Sequence, residues 1–335
     1  MILASIYQDG HSKNSLFREE DIAHKYNPTY TQRLLKKEFA AVGIELNTAD
    51  LNEGKQIAFE LHVEGRPLPP SSTTRYLVAL ENPYINTLNT DPDYFKQFKH
   101  VFTWNKKFFD LPNITPVMFP NEFISRPFTG FDQRDIFSCL INANKRFPVD
   151  LDVDLYQERL HVIRWYETNA PKLFSLYGMG WHKPPSGIDL AGKLARHWGR
   201  WRTRLYGYKP FPSYKGEVAD KSDVMLRSKF SYCYENVRDV SNFITEKIFD
   251  SFLSGSVPIY WGADNVTEHI PSDCFIDRRN FIDTAELHEF LTSIDSVQFQ
   301  SFQKAIENFV KSPKGLNFSA ESFVSTIVSG IESQL

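Results

Sequence analysis

The chain is poor in cysteine and has no long apolar run. Its 335 residues contain 3 cysteines, an odd number set far apart, which excludes a disulfide framework and a zinc site. We therefore expect reduced core cysteines at Cys139, Cys233 and Cys274 in a cytoplasmic protein. No apolar stretch is long enough to span a bilayer. The first one, residues 1–7, ends at once in polar residues, so no signal peptide is expected.

The chain also lacks an excess of basic residues. The 38 Lys and Arg and the 41 Asp and Glu give a net charge of −3, which argues against a nucleic-acid partner. In contrast, hydrophobic residues at 41% and aromatic residues at 15% are enough to build real cores. A chain of this length suits two domains of ordinary size better than one small core.

Short apolar runs alternate with helical patterns along most of the chain, which predicts parallel sheets with helices on both faces. Strands are predicted at residues 2–6, 44–46, 56–62, 76–80, 101–104, 136–141 and 173–177, and helices at 31–42 and 155–169. The tail from residue 281 has three helical patterns and no strand. A stretch rich in Pro, Gly and polar residues, from 120 to 134, is predicted to link two α/β halves.

The most informative segment is Lys229–Gly262, which reads KFSYCYENVRDVSNFITEKIFDSFLSGSVPIYWG. An apolar run, Glu235-Asn236, a polar loop, Thr245-Glu246-Lys247, a helical pattern and a second apolar run follow in the order of one βαβ unit. Ligands of parallel sheets bind at the carboxyl ends of strands, and a helix N-terminus offers free N–H groups to anions. With the charge of Lys247 added, a nucleotide diphosphate would bind here.

The same pattern has a purely structural interpretation. The apolar residues at 248, 249, 252 and 253 are spaced as the buried face of a helix. Thr245 would then be an N-cap, and Gly255 the residue that ends the helix. Because βαβ units outnumber nucleotide sites, the periodicity alone indicates the fold and does not identify a ligand.

The sequence of this segment resembles the donor-binding signature of glycosyltransferase family 10, the inverting α-1,3/4-fucosyltransferases. The elements of that signature stand here as Lys229-Phe230, Glu235-Asn236, Phe243–Lys247 and Gly255–Gly262, in the correct order and spacing. Many family members have tyrosine where this chain has Phe243, so a hydrogen bond from that hydroxyl is lost here while ring packing can remain.

The resemblance implies an α/β fold of GT-B architecture, in which two Rossmann-like domains face each other across a cleft. The first domain, 1–124, would present the acceptor, and a linker at 125–134 would lead to a GDP-fucose-binding domain at 135–300. Helices over 301–335 would follow, as a tail that can cross back to the first domain. Golgi relatives carry a membrane anchor that is missing here, so the chain is similar to the bacterial, soluble members.

One carboxylate in the first half is a candidate catalytic residue. The apolar strand at 76–80 ends in Glu81-Asn82-Pro83, which places a glutamate at the carboxyl end of a parallel strand. From position alone, Glu81 could equally be a solvated loop residue. Family members have an E-[SN]-P element at the end of such a strand, and by that resemblance Glu81 is the general base.

Further roles are carried over from the resemblance to residues of the second half. Arg159, on the first helix of that half, would reach the diphosphate, for which a guanidinium fork is well suited. Lys247 would stabilise the same group, Glu246 would accept hydrogen bonds from sugar or ribose hydroxyls, and Asn236 would orient the donor. Phe243 and a basic residue upstream, Lys221, complete the set. A surface ion pair is the alternative for Arg159, and it is the favoured interpretation for Arg164.

No metal cofactor is expected. Asp150–Asp154 and Asp91–Asp93 both contain D-x-D, which binds the donor metal in another glycosyltransferase class. However, the aspartates at 150–154 immediately precede a predicted helix, where they serve as caps and favourable dipole charges. The family resemblance implies two partners, GDP-fucose and an oligosaccharide or glycolipid acceptor. It also implies that fucose is transferred in α-1,3 linkage to N-acetylglucosamine or glucose.

A basic stretch at 193–209 is interpreted as a solvated helix face. The alternative is a rim that makes weak peripheral contact with anionic membrane.

The function of the chain also has alternatives. The chain could be another GT-B glycosyltransferase with a different sugar nucleotide, or a non-catalytic nucleotide- or glycan-binding protein. Such a binding protein has no need of a carboxylate like Glu81.

Overall fold

The structure is a computed structural model that describes residues 2–18, 29–124, 126–183 and 209–335. The chain forms two compact units whose segments alternate along the sequence. The first unit consists of Met1–Phe123, Ser241–Glu246 and Pro313–Leu335, and the second of Ile124–Val240 and Lys247–Ser312. The helix that begins at residue 296 thus belongs to the second unit, whereas the last 23 residues of the chain, 313–335, belong to the first.

The first unit is built on a sheet of six parallel strands in the order β2-β1-β3-β4-β5-β6. Its strands are β1 (Ile2–Tyr7), β2 (Ile44–Thr48), β3 (Phe59–Val63), β4 (Thr74–Ala79), β5 (His100–Thr103) and β6 (Ile114–Pro116). Tyr76 of β4 lies in register with Leu61 of β3 and His100 of β5. The carboxyl ends of β3, β4 and β5 therefore meet at one edge of this sheet.

The second unit has its own sheet of six parallel strands in the order β12-β11-β10-β7-β8-β9. Its strands are β7 (Ile136–Ile141), β8 (Phe174–Tyr177), β9 (Tyr214–Gly216), β10 (Ser228–Tyr234), β11 (Val257–Trp261) and β12 (Ile276–Asp277). β10 is central and is buried on both faces, which explains why it reads as a continuous apolar run.

Helices flank both sheets. Those within the described residues are α1 (Tyr30–Ala41), α2 (Pro92–Phe95), α3 (Leu155–Asn169), α4 (Lys221–Met225), α5 (Glu246–Leu253), α6 (Val266–His269), α7 (Thr284–Ser293), α8 (Ser296–Val310), α9 (Pro313–Leu316) and α10 (Ala320–Glu332). In this part of the chain, no helix is both long enough and apolar enough to cross a membrane.

The C-terminal helix α10 completes the core of the first unit. Its apolar face, which includes Val324, Ile327 and Ile331, is buried against the sheet together with Phe39 of α1 and Phe102 of β5. Each such side chain stabilises the folded protein by about 1.5–3 kcal/mol when it is fully buried. The tail of the chain is therefore an integral part of the first unit.

The predicted strands and long helices are confirmed to within a few residues, and the three cysteines are buried free thiols. The prediction missed the strands β6, β9 and β12, each of only two or three residues, because so short a run shows no period. The three helical patterns predicted in the tail are confirmed as α7, α8 and α10, and only the four-residue α9 between α8 and α10 was missed.

A group of charged residues lies buried inside the first unit. Nε2 of His62 is 3.0 Å from a carboxylate oxygen of Glu60, and Nε of Arg75 donates to the same oxygen at 2.8 Å. The His62 ring stacks on Tyr7 at a centroid distance of 4.5 Å and is only 1% exposed. Burial lowers the pKa of His62 from its ordinary value of 6.5, against the opposing effect of Glu60.

This burial makes the stability of the protein depend on pH. Between the lowered pKa of folded His62 and 6.5, the unfolded chain binds more protons than the folded protein. We therefore expect the free energy of unfolding to fall as the pH is lowered from about 7 through this window. His62→Gln keeps a donor for Glu60 but cannot titrate, so it should make that fall shallower. Urea denaturation at several pH values measures both slopes, and equal slopes would contradict the assignment.

Candidate active site

Glu81 lies at the carboxyl end of β4, as predicted, in a turn that its neighbour Asn82 shapes. Asn82 is fully buried, and both its backbone N–H and its Nδ2 donate to Oε1 of Glu81 at 3.0 Å. Oδ1 of Asn82 accepts from the backbone N–H of Tyr84 at 3.0 Å, which closes an Asx turn over Pro83. The half-buried carboxylate of Glu81 is therefore fixed in one orientation through one of its oxygens.

Trp104 supports the same turn from the neighbouring strand. Its indole N–H donates to the carbonyl oxygen of Leu80 at 2.6 Å, just before Glu81, and the ring is 1% exposed. Phe243 of the family signature packs on this ring at a centroid distance of 5.0 Å. Nδ2 of Asn242 donates to the carbonyl oxygen of Trp104 at 3.2 Å. Part of the signature therefore packs, within the first unit, against a residue that holds the end of β4.

This packing makes Phe243 part of the first unit, whereas the sequence had predicted its whole segment to be part of the second. The Phe243 side chain is 1% exposed and also contacts the ring of Phe119. The apolar ring is buried because it finds an aromatic pocket there, so any part it has in donor binding is exerted through packing. Glu246, the first residue of α5, belongs to the first unit as well and is half-buried.

In the second unit, Arg159 is neither exposed nor part of a surface ion pair. Its side chain projects from α3 and is 2% exposed. Nη2 donates to the carbonyl oxygens of Tyr234 and Glu235 at 2.6 and 2.7 Å, and lies 3.3 Å from Oδ1 of Asn236. Arg159 and Asn236, both predicted site residues, are therefore together at the carboxyl end of β10. The surface alternative for Arg159 is wrong, whereas Arg164 does form the expected ion pair, with Glu167 at 2.6 Å.

Lys247 pairs with a carboxylate that the sequence reasoning had not assigned a role. Its Nζ lies 3.0 Å from Oε2 of Glu235, and the two side chains are 15% and 0% exposed. A buried carboxylate requires a partner, and an ammonium group with three donors can hold Glu235 and still donate to a phosphate. Glu235 therefore fixes a cation in the first turn of α5, next to Asn236 at the end of β10.

Gly262 leaves room for this carboxylate. A Cβ at Gly262 would lie 2.4 Å from Cγ of Glu235 and 2.5 Å from the hydroxyl of Tyr260. The backbone N–H of Glu235 donates to the carbonyl oxygen of Trp261 at 2.8 Å, so the two strand ends are already tied together. Only glycine fits at this position without displacing Glu235.

We therefore expect Gly262→Ala to destabilise the second unit by about 1–3 kcal/mol, the usual cost of overpacking. Because the displaced Glu235 carries Lys247 with it, the nucleotide affinity predicted for this site should fall as well. Gly130→Ala is the matched control, since nothing lies within 4 Å of a Cβ there and the backbone has a φ of −73° that alanine adopts. Urea denaturation of both variants provides the comparison, and an equally small effect in both would be inconsistent with the close contact.

The remaining predicted residues have structural partners. Nζ of Lys221, at the start of α4, lies 2.9 Å from a carboxylate oxygen of Asp250 on α5. Asp154 caps α3 by accepting from the backbone N–H of Tyr156 at 2.7 Å, and Asp91 caps α2 in the same way. The capping interpretation of Asp150–Asp154 is therefore confirmed, and Asp91, for which no cap was predicted, has the same role. Among the described residues, no group of three or more His, Cys, Asp or Glu side chains could hold a metal ion.

The predicted site residues thus divide between the two units. Glu81, Phe243 and Glu246 lie in the first unit, and Arg159, Lys221, Asn236 and Lys247 in the second. The basic stretch predicted at 193–209 falls, apart from Lys209, outside the described residues.

Comparison with known proteins tests the family resemblance. Residues 196–305 match the family model described as glycosyltransferase family 10 (fucosyltransferase) C-term, a range that contains the whole signature. The chain is 30% identical over 74 residues to the alpha-(1,3)-fucosyltransferase FucT of Helicobacter pylori. The resemblance to glycosyltransferase family 10 is confirmed. The match covers 22% of this chain and only 15% of the Helicobacter pylori protein.

Solved structures share the overall fold of this chain. A crystal structure of an alpha1,3-fucosyltransferase matches with a TM-score of 0.54 at 13% identity, over 99% of this chain and 89% of that one. An alpha-glucosyltransferase solved with UDP and DNA matches with the same TM-score at 9% identity, over 99% of both chains. At these identities the likeness shows the fold alone, which is the predicted α/β class of GT-B type. The fold does not distinguish one sugar nucleotide from another.

Three residues of the candidate site were missed by sequence reasoning. Glu235 stands in the signature directly before Asn236, so its place after a buried strand could have identified it. Trp104 has an equivalent signal, as the last residue of an apolar run. Glu64, which is described below, follows β3 in the same way but has no neighbouring motif.

Proposed function

We propose that this protein is an inverting fucosyltransferase that moves L-fucose from GDP-fucose to a hydroxyl group of a glycan acceptor. The observation that carries the proposal is the complete family 10 signature on β10, α5 and β11, within the range that matches the family model. The paired Glu235 and Lys247 and the nearby Asn236 and Arg159 give that signature a chemistry suited to a diphosphate.

The second unit supplies stabilisation for the leaving group. As the bond between C1 of fucose and the diphosphate oxygen breaks, its electron pair passes to the diphosphate. Lys247 and the N–H groups at the start of α5 stabilise the negative charge that develops on the diphosphate, because a cation and a helix N-terminus both favour anions. Arg159 holds the end of β10 in shape and, by the proposal, also contacts the diphosphate. Asn236 orients the donor, and Lys221 adds positive charge beside α5.

The first unit supplies the base. An acceptor hydroxyl attacks C1 from the face opposite the diphosphate, which inverts the anomeric centre. Its proton passes to Glu81, while the new bond between the acceptor oxygen and C1 forms. Glu246 accepts hydrogen bonds from sugar or ribose hydroxyls, and Phe243 supports the site through its packing on Trp104. No step requires a metal ion.

The acceptor proposed for this reaction is an oligosaccharide or glycolipid, with transfer in α-1,3 linkage to N-acetylglucosamine or glucose. We propose residues 1–124 as the acceptor domain, 125–134 as the linker and 135–300 as the donor domain, followed by helices over 301–335. The segments Ser241–Glu246 and Pro313–Leu335 belong to the first unit. We also propose a cytoplasmic enzyme, in which residues 193–209 provide any weak contact with membrane.

A nucleotide titration tests the donor assignment. GDP, UDP and CDP are titrated against the purified protein by calorimetry, in the presence and absence of EDTA. The proposal expects GDP to bind most tightly, with the same affinity in EDTA. Preferential binding of UDP would favour a different sugar nucleotide, and a requirement for a divalent cation would overturn the metal-free diphosphate site.

A further inference from the structure

A second carboxylate lies beside Glu81. Glu64 follows β3, and its two carboxylate oxygens accept from the backbone N–H of Leu80 at 3.3 Å and from that of Glu81 at 3.0 and 3.2 Å. Nδ2 of Asn89 donates to Glu64 as well, and also to the carbonyl oxygen of Glu81 at 3.1 Å. The backbone on both sides of Glu81 is therefore tied to Glu64, directly or through Asn89.

The backbone of Glu64 adopts an unfavourable conformation to make these contacts. Its φ is +68°, in the left-handed region where the backbone of a non-glycine residue is strained. Its own N–H still donates to the carbonyl oxygen of Val78 at 2.8 Å, which keeps β3 and β4 in register. Glycine would adopt this φ without strain but could not supply a carboxylate, so the side chain has a use that offsets the strain.

The contacts of Glu64 also place two negative charges near each other. Burial raises the pKa of Glu64; the N–H of Glu81 and Asn89 oppose this by donating to it, and the Glu81 charge raises it further. The bonds from the N–H groups of Leu80 and Glu81 favour the ionised form of Glu64, which accepts them with both of its oxygens. Close to Glu64 in the chain, Arg66 donates to the carbonyl oxygen of Val63 and pairs with Asp9, and the hydroxyl of Tyr94 donates to the carbonyl oxygen of Arg66.

We propose that Glu64 is a positioning residue for the general base, one that holds the backbone of Leu80 and Glu81 at the end of β4. The inference rests on the proposed function of Glu81. It adds a role that the family signature does not contain, because Glu64 lies outside every motif identified in the sequence. A base held in one place takes the proton of the acceptor hydroxyl more readily than a base that must be reoriented at each turnover.

The test uses two variants and one control. Glu64→Gln keeps the size of the side chain and removes the charge. Glu64→Gly removes the carboxylate and relieves the backbone strain, so it is expected to fold even if the glutamine variant does not. Glu60→Gln is the matched control, since Glu60 is a buried carboxylate on the same strand that bonds to Arg75 and His62 and not to the end of β4.

The direct measurement is hydrogen exchange at the backbone amides of Leu80 and Glu81, followed by NMR. Both Glu64 variants should speed this exchange, Glu64→Gly more than Glu64→Gln, and Glu60→Gln should leave it unchanged. In the transfer assay, kcat of the Glu64 variants should fall at least about tenfold with the KM for GDP-fucose nearly unchanged, since misplacing a catalytic group by 1 Å can cost about 10²-fold.

The two readouts separate the inference from the function on which it rests. Unchanged exchange at Leu80 and Glu81 in a folded Glu64 variant would overturn the inference, whether or not the protein transfers fucose. Faster exchange in the Glu64 variants, with no transfer from GDP-fucose by the unmodified protein, would support the positioning contact and remove the proposed function instead.

Discussion

Glu81→Gln should reduce fucose transfer by about 10²–10⁴-fold, the contribution typical of a general base. The amide keeps the size of the side chain, and its oxygen can still accept from Asn82, so the turn after β4 should retain its shape. GDP affinity should be nearly unchanged, because the residues assigned to the diphosphate lie in the other unit. Initial rates with GDP-fucose and calorimetric titration with GDP measure the two effects.

The matched control for this variant is Asp93→Asn. Asp93 is an exposed carboxylate of α2 in the same unit and pairs with Lys96 at 2.7 Å. Exposed pairs contribute little to stability, so activity and stability should both stay close to those of the unmodified protein. Normal turnover by Glu81→Gln would remove Glu81 from the role of base, and a parallel loss of GDP affinity would indicate a general disturbance of the fold.

Lys247→Met should weaken GDP binding and destabilise the second unit together. It leaves Glu235, which is 0% exposed, without its cation at 3.0 Å. Breaking a buried pair from one side typically costs about 3–5 kcal/mol, and loss of one charged contact to the diphosphate should lower GDP affinity by about tenfold or more. Thermal and urea denaturation, together with calorimetry at a temperature where the variant is folded, report the two losses.

A second substitution separates these two effects. In the double variant Glu235→Gln with Lys247→Met, neither charge of the pair remains, so much of the stability should return while GDP binding stays weak. Lys311→Met is the control, because Lys311 forms an exposed pair with Glu307 on α8 and should affect neither property. If GDP affinity in the Lys247 variants equals that of the original protein, Lys247 does not contact the diphosphate.

The sequence was sufficient to predict the strands and helices that carry the site, because those elements are long and strongly patterned. β10 reads as an apolar run because both of its faces are buried, and α3 and α5 show helical spacing. The exchange of segments between units could not be predicted in this way. Ser241–Glu246 belongs to the first unit because Phe243 packs on Trp104, a contact between residues 139 positions apart that leaves no periodic signal.

Within the site, the sequence identified the important residues more reliably than it identified their contacts. Family resemblance selected Arg159, but only the structure shows that its guanidinium holds the end of β10 from inside the protein. Glu235 and Glu64 were missed for a similar reason. A carboxylate after a strand is as often solvated as buried, and its role depends on the cation or N–H groups that the fold brings to it.

The central claim is that this chain transfers fucose from GDP-fucose with inversion. The most direct measurement is to incubate the protein with GDP-fucose and a panel of disaccharides that end in N-acetylglucosamine or glucose, and to examine the product by NMR. We expect one GDP to be released for each fucose transferred, and a product whose anomeric configuration is opposite to that of the donor. Transfer with retained configuration, or transfer only from a UDP-sugar, would contradict the account.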